Sequence, residues 1–367
     1  MTEEIFLGQP CDMHVHLRDG EMCEIVTPTV QQGGISTAYV MPNLTPPITT
    51  VEQARRYYHK LQDISPSTQF LMSLYLNTES TPDLVRSAKE SGFIYGFKLY
   101  PAGVTTNSSQ GIDLSNPDGL KTLYPTFKAM EEEGLVLNLH GEIPSDAKGT
   151  VNIMTAEPLF LPQLRVLHAT FPKLKIILEH CTTKKAVELI NELNSSTKDS
   201  KSVTVAGSIT AHHLWLTMDD WAGCPLNFCK PVAKTETDRI ALIEAATSGK
   251  PWFFLGSDSA PHPTNPSKLG PHKIAAGVFT QPYVLAYVAS IFEKVQKLDI
   301  LKTFVTDSGR EFYGVPESKS NKNVKNVYLL KDEQNIKIAK SFTNERENIE
   351  VIPFRSEEPV NWIVQWK

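Results

Sequence analysis

Short apolar runs alternate with amphipathic stretches along most of the chain, and this alternation predicts the fold. Several runs are almost entirely apolar, such as LKIIL at 174–178 and PWFFL at 251–255. Such composition is typical of parallel strands that are covered on both faces. The eight predicted barrel strands are Cys11–Leu17, Ser36–Met41, Gln69–Leu76, Tyr95–Tyr100, Leu135–His140, Leu174–His180, Ser202–Ile209 and Trp252–Ser257.

Stretches with helical periodicity separate these strands. Five clear examples are VEQARRYYHKLQDI, TPDLVRSAKESG, LYPTFKAMEEEG, LPQLRVLHATF and TKKAVELINELN. Eight strands that are each followed by a crossover form a closed parallel barrel. An open doubly wound sheet is the alternative, but the sequence lacks the glycine fingerprint of that fold. We therefore predict an α/β protein with a (β/α)8 TIM barrel.

Two polar stretches, Asn194–Lys201 and Glu317–Asn326, interrupt the pattern and predict surface insertions. After the second, four segments alternate polar and apolar residues with period two, which is typical of strands. They read VYLLKD, IKIAKSF, IEVIPF and VNWIVQW. The sequence thus predicts a barrel over residues 1–315 and a small β-rich extension over 316–367 that packs on it.

Composition and charge restrict the class of protein further. The chain has 367 residues, 41% hydrophobic and 21% charged, with a formal net charge of −5. An acidic balance argues against nucleic acid or an anionic membrane as the main partner. Five widely spaced cysteines in a chain of this size are typical of reduced thiols. The N-terminal segment does not resemble a signal peptide, and we expect a cytoplasmic protein.

Residues able to bind metals or move protons occur where the predicted strands end. In a barrel of this kind, the C-terminal ends of all strands open on one mouth, where the chemistry is found. Four histidines and an aspartate are too many for one tetrahedral catalytic zinc, so the set favours two metals bridged by an oxygen ligand. The residues are His14, His16, Lys98, His140, His180 and Asp258.

Each of these residues taken alone has a simpler interpretation. A single histidine at a strand end is more often a hydrogen-bonded structural residue than a metal ligand. His14 and His16 are two residues apart on one strand, so their imidazoles point the same way and can share one ion. Lys98 differs, because an ammonium group only donates hydrogen bonds and cannot ligate a metal. By itself it would be a surface cation or a partner for a substrate carboxylate.

Seven segments that carry these residues follow one another over about residues 10–315: DMHVHLRDG, YVMPN, GFKLYPAGVTTNSSQG, NLHGE, LEH, ITAHHL and LGSDSAPH. Together they resemble the amidohydrolase superfamily and, within it, the single-function homodimeric dihydroorotases. The resemblance implies reversible cyclisation of N-carbamoyl-L-aspartate to L-dihydroorotate and water, the third step of de novo pyrimidine (UMP) biosynthesis. It also implies that the chain forms a homodimer.

The resemblance further implies a role for each residue at the barrel mouth. Lys98 would be carboxylated on its amine and would bridge two zinc ions. His14, His16 and Asp258 would hold the more buried ion, and Asp258 would also carry the proton in catalysis. His140 and His180 would hold the other ion.

The substrate ligands follow from the same resemblance. Arg18, Asn43 and His262 would bind the substrate carboxylate, a task for which the guanidinium fork of arginine is suited. Two threonines of the polar loop Pro101–Gly119, which is predicted to be a mobile lid, would reach the substrate. Backbone groups at two further positions would also contact it. One of these positions lies in the segment NFCKPVAK, where the residue before the proline is a lysine and not the usual apolar residue. These four positions are Thr105, Thr106, Lys230 and Ala276.

Two alternatives to this function remain open at the level of sequence. Another cyclic amidohydrolase, such as a dihydropyrimidinase, hydantoinase or allantoinase, would resemble the chain at its metal ligands but would lack the Arg18 and Asn43 pair. A metal-free scaffold that only binds partners would usually have lost ligands, and here all six are present. The adjacent His212 and His213 match the family, and we interpret them as structural hydrogen-bonding residues.

Overall fold

The computed structural model describes residues 3–116, 118–195, 203–264, 275–317, 325–344, 346 and 348–367. Most of the two predicted insertions therefore lies outside the described residues. In the part of the chain that is described, no helix is both long enough and apolar enough to cross a membrane.

Eight parallel strands lie side by side in chain order and form the barrel. Backbone hydrogen bonds join the first strand to the segment after the last, with Asp258 N–H donating to the His14 carbonyl at 2.8 Å and His16 N–H to the Ser259 carbonyl at 3.1 Å. The predicted (β/α)8 TIM barrel is confirmed. Its strands are β2 Cys11–Val15, β3 Thr37–Val40, β4 Gln69–Leu76, β5 Ile94–Leu99, β6 Val136–Leu139, β7 Ile176–Leu178, β8 Val205–Ile209 and β9 Phe253–Leu255.

Helices connect the strands and cover the outside of the barrel. Short 3₁₀ turns span Gly119–Leu123, His212–Leu214, Pro225–Asn227, Gln281–Tyr283 and Leu298–Ile300, and a π-helical turn spans Thr303–Asp307. The α-helices are α1 Gly20–Val26, α2 Thr29–Gln32, α3 Val51–Ile64, α4 Pro82–Glu90, α5 Tyr124–Glu133, α6 Ala156–Thr170, α7 Lys184–Ser195, α8 Met218–Trp221, α9 Glu236–Ala246, α10 Val284–Lys294 and α11 Ser308–Tyr313.

The interior of the barrel is layered, and the layers follow from the two-residue period of the strands. Along β6, alternate positions carry Val136, Asn138 and, just beyond the strand, His140. Val136 belongs to a buried apolar cluster at the floor of the barrel. Above it, the Asn138 amide donates to the hydroxyl of Tyr313 in α11 at 2.7 Å and to the carboxylate of Glu179 at 2.6 Å. Apolar, polar and imidazole layers thus succeed one another towards the mouth.

A second, three-stranded antiparallel sheet contains β1 Glu4–Gly8, β10 Val327–Lys337 and β13 Pro359–Trp366. β11 Phe342–Thr343 and β12 Glu350–Val351 pair separately. The predicted β-rich extension is therefore present. β10 runs without a break from the predicted segment VYLLKD into the start of the next predicted segment, IKIAKSF. Because β1 precedes the barrel, this sheet joins both ends of the chain. The proposed boundary between residues 315 and 316 stays a prediction.

Candidate active site

Three predicted ligands converge where β2 meets the segment after β9. The Nε2 atoms of His16 and His14 lie 3.0 and 3.4 Å from Asp258 Oδ1, and one ligand atom from each residue lies within 4.8 Å of the others. All three residues are buried. Burial lowers the pKa of the His16 imidazole to about 4, so it is neutral at physiological pH, which is the form that ligates metals.

Lys98, His140 and His180 form the second part of the site. The ring centroids of His140 and His180 are 4.7 Å apart, and that of His14 lies 5.1 Å from His180. Lys98 is fully buried, and burial lowers the pKa of its amine to about 8.

Several polar atoms of this group lack the hydrogen bonds that buried groups normally make. Among the described residues, Lys98 Nζ, His14 Nε2 and His180 Nδ1 have no hydrogen-bond partner. Imidazole nitrogens and carboxylate oxygens are ligand atoms that suit zinc. The residues present therefore fit a metal centre at this position.

The backbone around the site is tightly constrained. Arg18, His180 and Asp258 adopt positive φ angles of 59°, 42° and 45°, a conformation that costs free energy for residues with a side chain and often marks functional sites. At Gly256, a Cβ atom would lie 3.0 Å from His14 Cβ and 2.8 Å from Ser208 Cβ. A glycine here lets the end of β9 approach β2 closely enough to bring Asp258 to the histidines.

The predicted carboxylate ligands lie on the rim of the same cavity. Arg18 Nε donates to the Pro261 carbonyl at 2.8 Å, and its Nη2 lies 3.1 Å from His262 Nε2. His262 Nε2 also lies 3.0 Å from the Ala276 carbonyl. These contacts hold the guanidinium group in place at the rim of the cavity.

Asn43 lies between the metal side of the site and the lid loop. Its Oδ1 accepts a hydrogen bond from His16 Nδ1 at 2.8 Å, and its Nδ2 donates to the Thr106 carbonyl at 3.0 Å. Asn107 Nδ2 in turn donates to the Asn43 carbonyl at 2.9 Å. Asn43 thus links a predicted metal ligand to the loop, and its contact with substrate stays a prediction.

Nearly all the predicted site residues surround one small cavity. Its lining contains every one of them except Lys98 and His262, together with Tyr100, Ala260 and Gly277. The cavity measures about 20 Å³, roughly the space of a single water molecule. A ligand larger than a water molecule would therefore need the lining to move, and the loop that carries Thr105 and Thr106 is the part predicted to be mobile.

The amidohydrolase family model matches residues 11–321 of the chain. The chain is also 49% identical over 370 residues to the dihydroorotase of Saccharomyces cerevisiae, with 100% of both chains covered. The chain belongs to the dihydroorotases of the amidohydrolase family. The predicted enzyme class is thereby confirmed.

Two solved dihydroorotases have the same fold. The S. cerevisiae dihydroorotase in complex with 5-fluoroorotic acid gives a TM-score of 0.93 at 48% identity and covers 99% of each chain. The dihydroorotase of Campylobacter jejuni gives a TM-score of 0.84 at 32% identity and covers 100% of this chain and 98% of its own.

Two buried carboxylates of this dihydroorotase site were missed from the sequence. Glu179 Oε2 lies 2.7 Å from His14 Nδ1, and Glu142 Oε2 lies 2.8 Å from His140 Nε2. A carboxylate on one ring nitrogen fixes the tautomer and leaves the other nitrogen for a metal. The available signal was their position, since Glu142 follows His140 by two residues and Glu179 directly precedes His180.

The Glu179 contact predicts an effect on metal affinity. Replacing Glu179 with Gln keeps the size of the side chain but removes the charge that orients His14. We expect the affinity for the metal predicted at His14 to fall roughly 10- to 100-fold, as measured by competition with a chromophoric chelator. Glu157→Gln is the matched control, because Glu157 is equally buried but bonds Thr182 and Thr183 instead of a histidine. Equal metal affinity in both variants would contradict this role.

A larger groove of about 690 Å³ lies elsewhere on the surface, between α9 and α10. Its lining mixes acidic and basic side chains around Trp215 and contains no predicted site residue. The small cavity at the barrel mouth is the candidate active site because the buried side chains predicted to bind metal converge there.

Proposed function

We propose that this chain is a zinc-dependent dihydroorotase that interconverts N-carbamoyl-L-aspartate and L-dihydroorotate in de novo pyrimidine synthesis. The observation that carries the proposal is the convergence, in one cavity, of metal-ligand side chains with an arginine held at the rim. In the family, such an arginine receives the substrate carboxylate. We further propose that the enzyme is a cytoplasmic homodimer.

The metal-ligand side chains would divide between two zinc ions. His14, His16 and Asp258 would hold one ion, and His140 and His180 would hold the other. Lys98, carboxylated on Nζ, would contribute an anionic bridge between them, which accounts for a fully buried lysine without a hydrogen-bond partner among the described residues. When bound, the two ions would polarise the scissile ring carbonyl and lower the pKa of the attacking water.

Asp258 would move the proton. Burial by itself raises the pKa of this carboxyl, but the close imidazoles of His16, His14 and His180 hold it well below its usual range. The carboxylate is therefore ionised at neutral pH and can accept a proton from the attacking water. It then gives that proton to the departing ring nitrogen. Cyclisation reverses these steps and consumes one proton overall, so acid favours ring closure and alkali favours hydrolysis.

Arg18 and the lid would position the substrate. The guanidinium group can bind the ring carboxylate by charge-assisted hydrogen bonds, with His262 beside it. Closure of the loop brings the hydroxyl groups of Thr105 and Thr106 to the substrate and excludes water from the site.

The test is a comparison of substrates with metal analysis of the same preparation. We expect the purified protein to hydrolyse dihydroorotate and to leave dihydrouracil almost untouched, with two zinc ions per chain. Preference for dihydrouracil would instead indicate another cyclic amidohydrolase. Active enzyme with one metal or none would contradict the binuclear centre.

Arg18→Met should weaken catalysis without affecting the metals. The change keeps most of the side-chain length but removes the charged donors, and we expect kcat/KM to fall roughly 10- to 100-fold in both directions. Arg56→Met, at an exposed position of α3, is the control. Near-normal turnover of dihydroorotate by the Arg18 variant would show that the carboxylate binds elsewhere.

A further inference from the structure

Lys230 reaches from the wall of the site to the lid loop. Its Nζ donates a hydrogen bond to the carbonyl of Val104 at 2.7 Å, directly before Thr105 and Thr106. Lys230 also lines the active-site cavity itself. A hydrogen bond from an ammonium group is stronger than one between neutral groups. The contact therefore tends to hold the two threonines over the cavity.

The backbone on both sides of Lys230 is fixed. The carbonyl of Phe228 accepts a hydrogen bond from Gly277 N–H at 2.9 Å. The carbonyl of Pro231 lies 3.0 Å from His213 Nε2 and 3.2 Å from Cys229 Sγ. The lysine thus extends from an anchored segment, and its free end meets the segment that has to move.

Few side chains from outside the loop hold its tip in place. Among the described residues, the hydrogen bonds that reach residues 103–107 from other parts of the chain involve Asn43 on one side and Lys230 on the other. The loop also borders a neighbouring cavity of about 330 Å³, which is lined by residues 102–104 and by Glu142. If the lysine bond is lost, the loop has room to withdraw from the active site.

We propose that the side chain of Lys230 is a positioning residue that holds the lid closed through the Val104 carbonyl. This role rests on the proposed function and is separate from the backbone contact with substrate predicted at the same residue. An apolar side chain could line the cavity but could not bond the loop.

The role of Lys230 can be tested with Lys230→Met, which keeps the length of the side chain and removes its donors, beside Lys230→Arg, which retains charge and donors. Hydrogen–deuterium exchange of the loop is measured first, without substrate. We expect the amides of residues 102–108 to exchange roughly tenfold faster in the methionine variant and within about twofold of wild type in the arginine variant. Lys184→Met, on an exposed turn of α7, is the control for loss of a surface charge.

Kinetic constants provide the second measurement. In Lys230→Met we expect KM for dihydroorotate to rise roughly three- to tenfold while kcat changes less, with metal content unchanged and recovery in Lys230→Arg. Unchanged loop exchange in the methionine variant would overturn the proposal. Loss of metal without faster exchange would also overturn the proposal. Lys230 would then act through Glu142, which lines the same neighbouring cavity and contacts His140. If the methionine variant is unstable, Lys230→Leu replaces it in the same comparison.

The two measurements separate this inference from the proposed function. Exchange is recorded without substrate, so a wild-type protein that does not turn over dihydroorotate can still show the lysine-dependent protection. Normal turnover with a loop whose exchange does not depend on Lys230 would leave the proposed function intact and refute the positioning role of Lys230.

Discussion

Asp258→Asn is expected to reduce turnover of dihydroorotate by about a thousandfold or more, the upper range for loss of a general acid–base group. Asparagine has almost the same shape as aspartate, but its amide cannot accept the proton from the attacking water. The same substitution would also weaken one proposed ligand of a zinc ion. Steady-state rates and zinc content should therefore be measured on one preparation.

Zinc content distinguishes the two consequences of this change. A variant that keeps both ions and loses its activity would identify Asp258 as the proton carrier, whereas loss of one ion would point to its role as a ligand. Asp63→Asn, at an exposed position of α3, is the control and should behave as wild type. A variant that retained a tenth of the wild-type rate would refute the assigned base.

Lys98→Ala should remove both the proposed bridge and most of the activity. The lysine is fully buried and its amine has no hydrogen-bond partner among the described residues, so its deletion leaves space at the centre of the ligand set. We expect zinc to fall below two ions per chain and turnover to drop by roughly two orders of magnitude or more, since a preorganised charge is lost from a buried site.

Short carboxylic acids provide the control for this second prediction. Acetate or propionate can enter the space left by the side chain and supply the missing anionic oxygens, so zinc content and part of the activity should return. The same acids should not restore Asp258→Asn, where the missing group is the proton acceptor. Full zinc content and near-normal rates in Lys98→Ala without added acid would contradict the carboxylated bridge.

Local sequence signals predicted the helices and the barrel strands well. The predicted VEQARRYYHKLQDI segment agrees residue for residue with α3. Its start is fixed by a capping box in which Thr50 Oγ1 accepts from Gln53 N–H and Gln53 Oε1 accepts from Thr50 N–H, an arrangement that the sequence itself encodes. Most barrel strands are shorter than predicted at one or both ends. The residues that follow β6, β7 and β9 include His140, His180 and Asp258, which lie at the mouth.

Errors arose where local signals conflicted with long-range packing. Helix α6 begins at Ala156, ahead of the predicted Leu161, and carries Pro162 inside it. Proline favours the first turn of a helix, so the pattern indicated a later start. The pairing of β1 with β10 joins residues more than 300 positions apart, and such a pairing has no local signal.

The sequence by itself determined the barrel and the family, and it predicted the ligand residues of the site, because strand periodicity and motif order are local properties of the chain. Only the tertiary structure decided which side chains support those ligands. Glu179 on His14, Asn43 between His16 and the loop, and Lys230 on Val104 are contacts between distant segments. Their hydrogen bonds depend on how closely the strand ends approach once the barrel has closed, and no spacing along the chain encodes that distance.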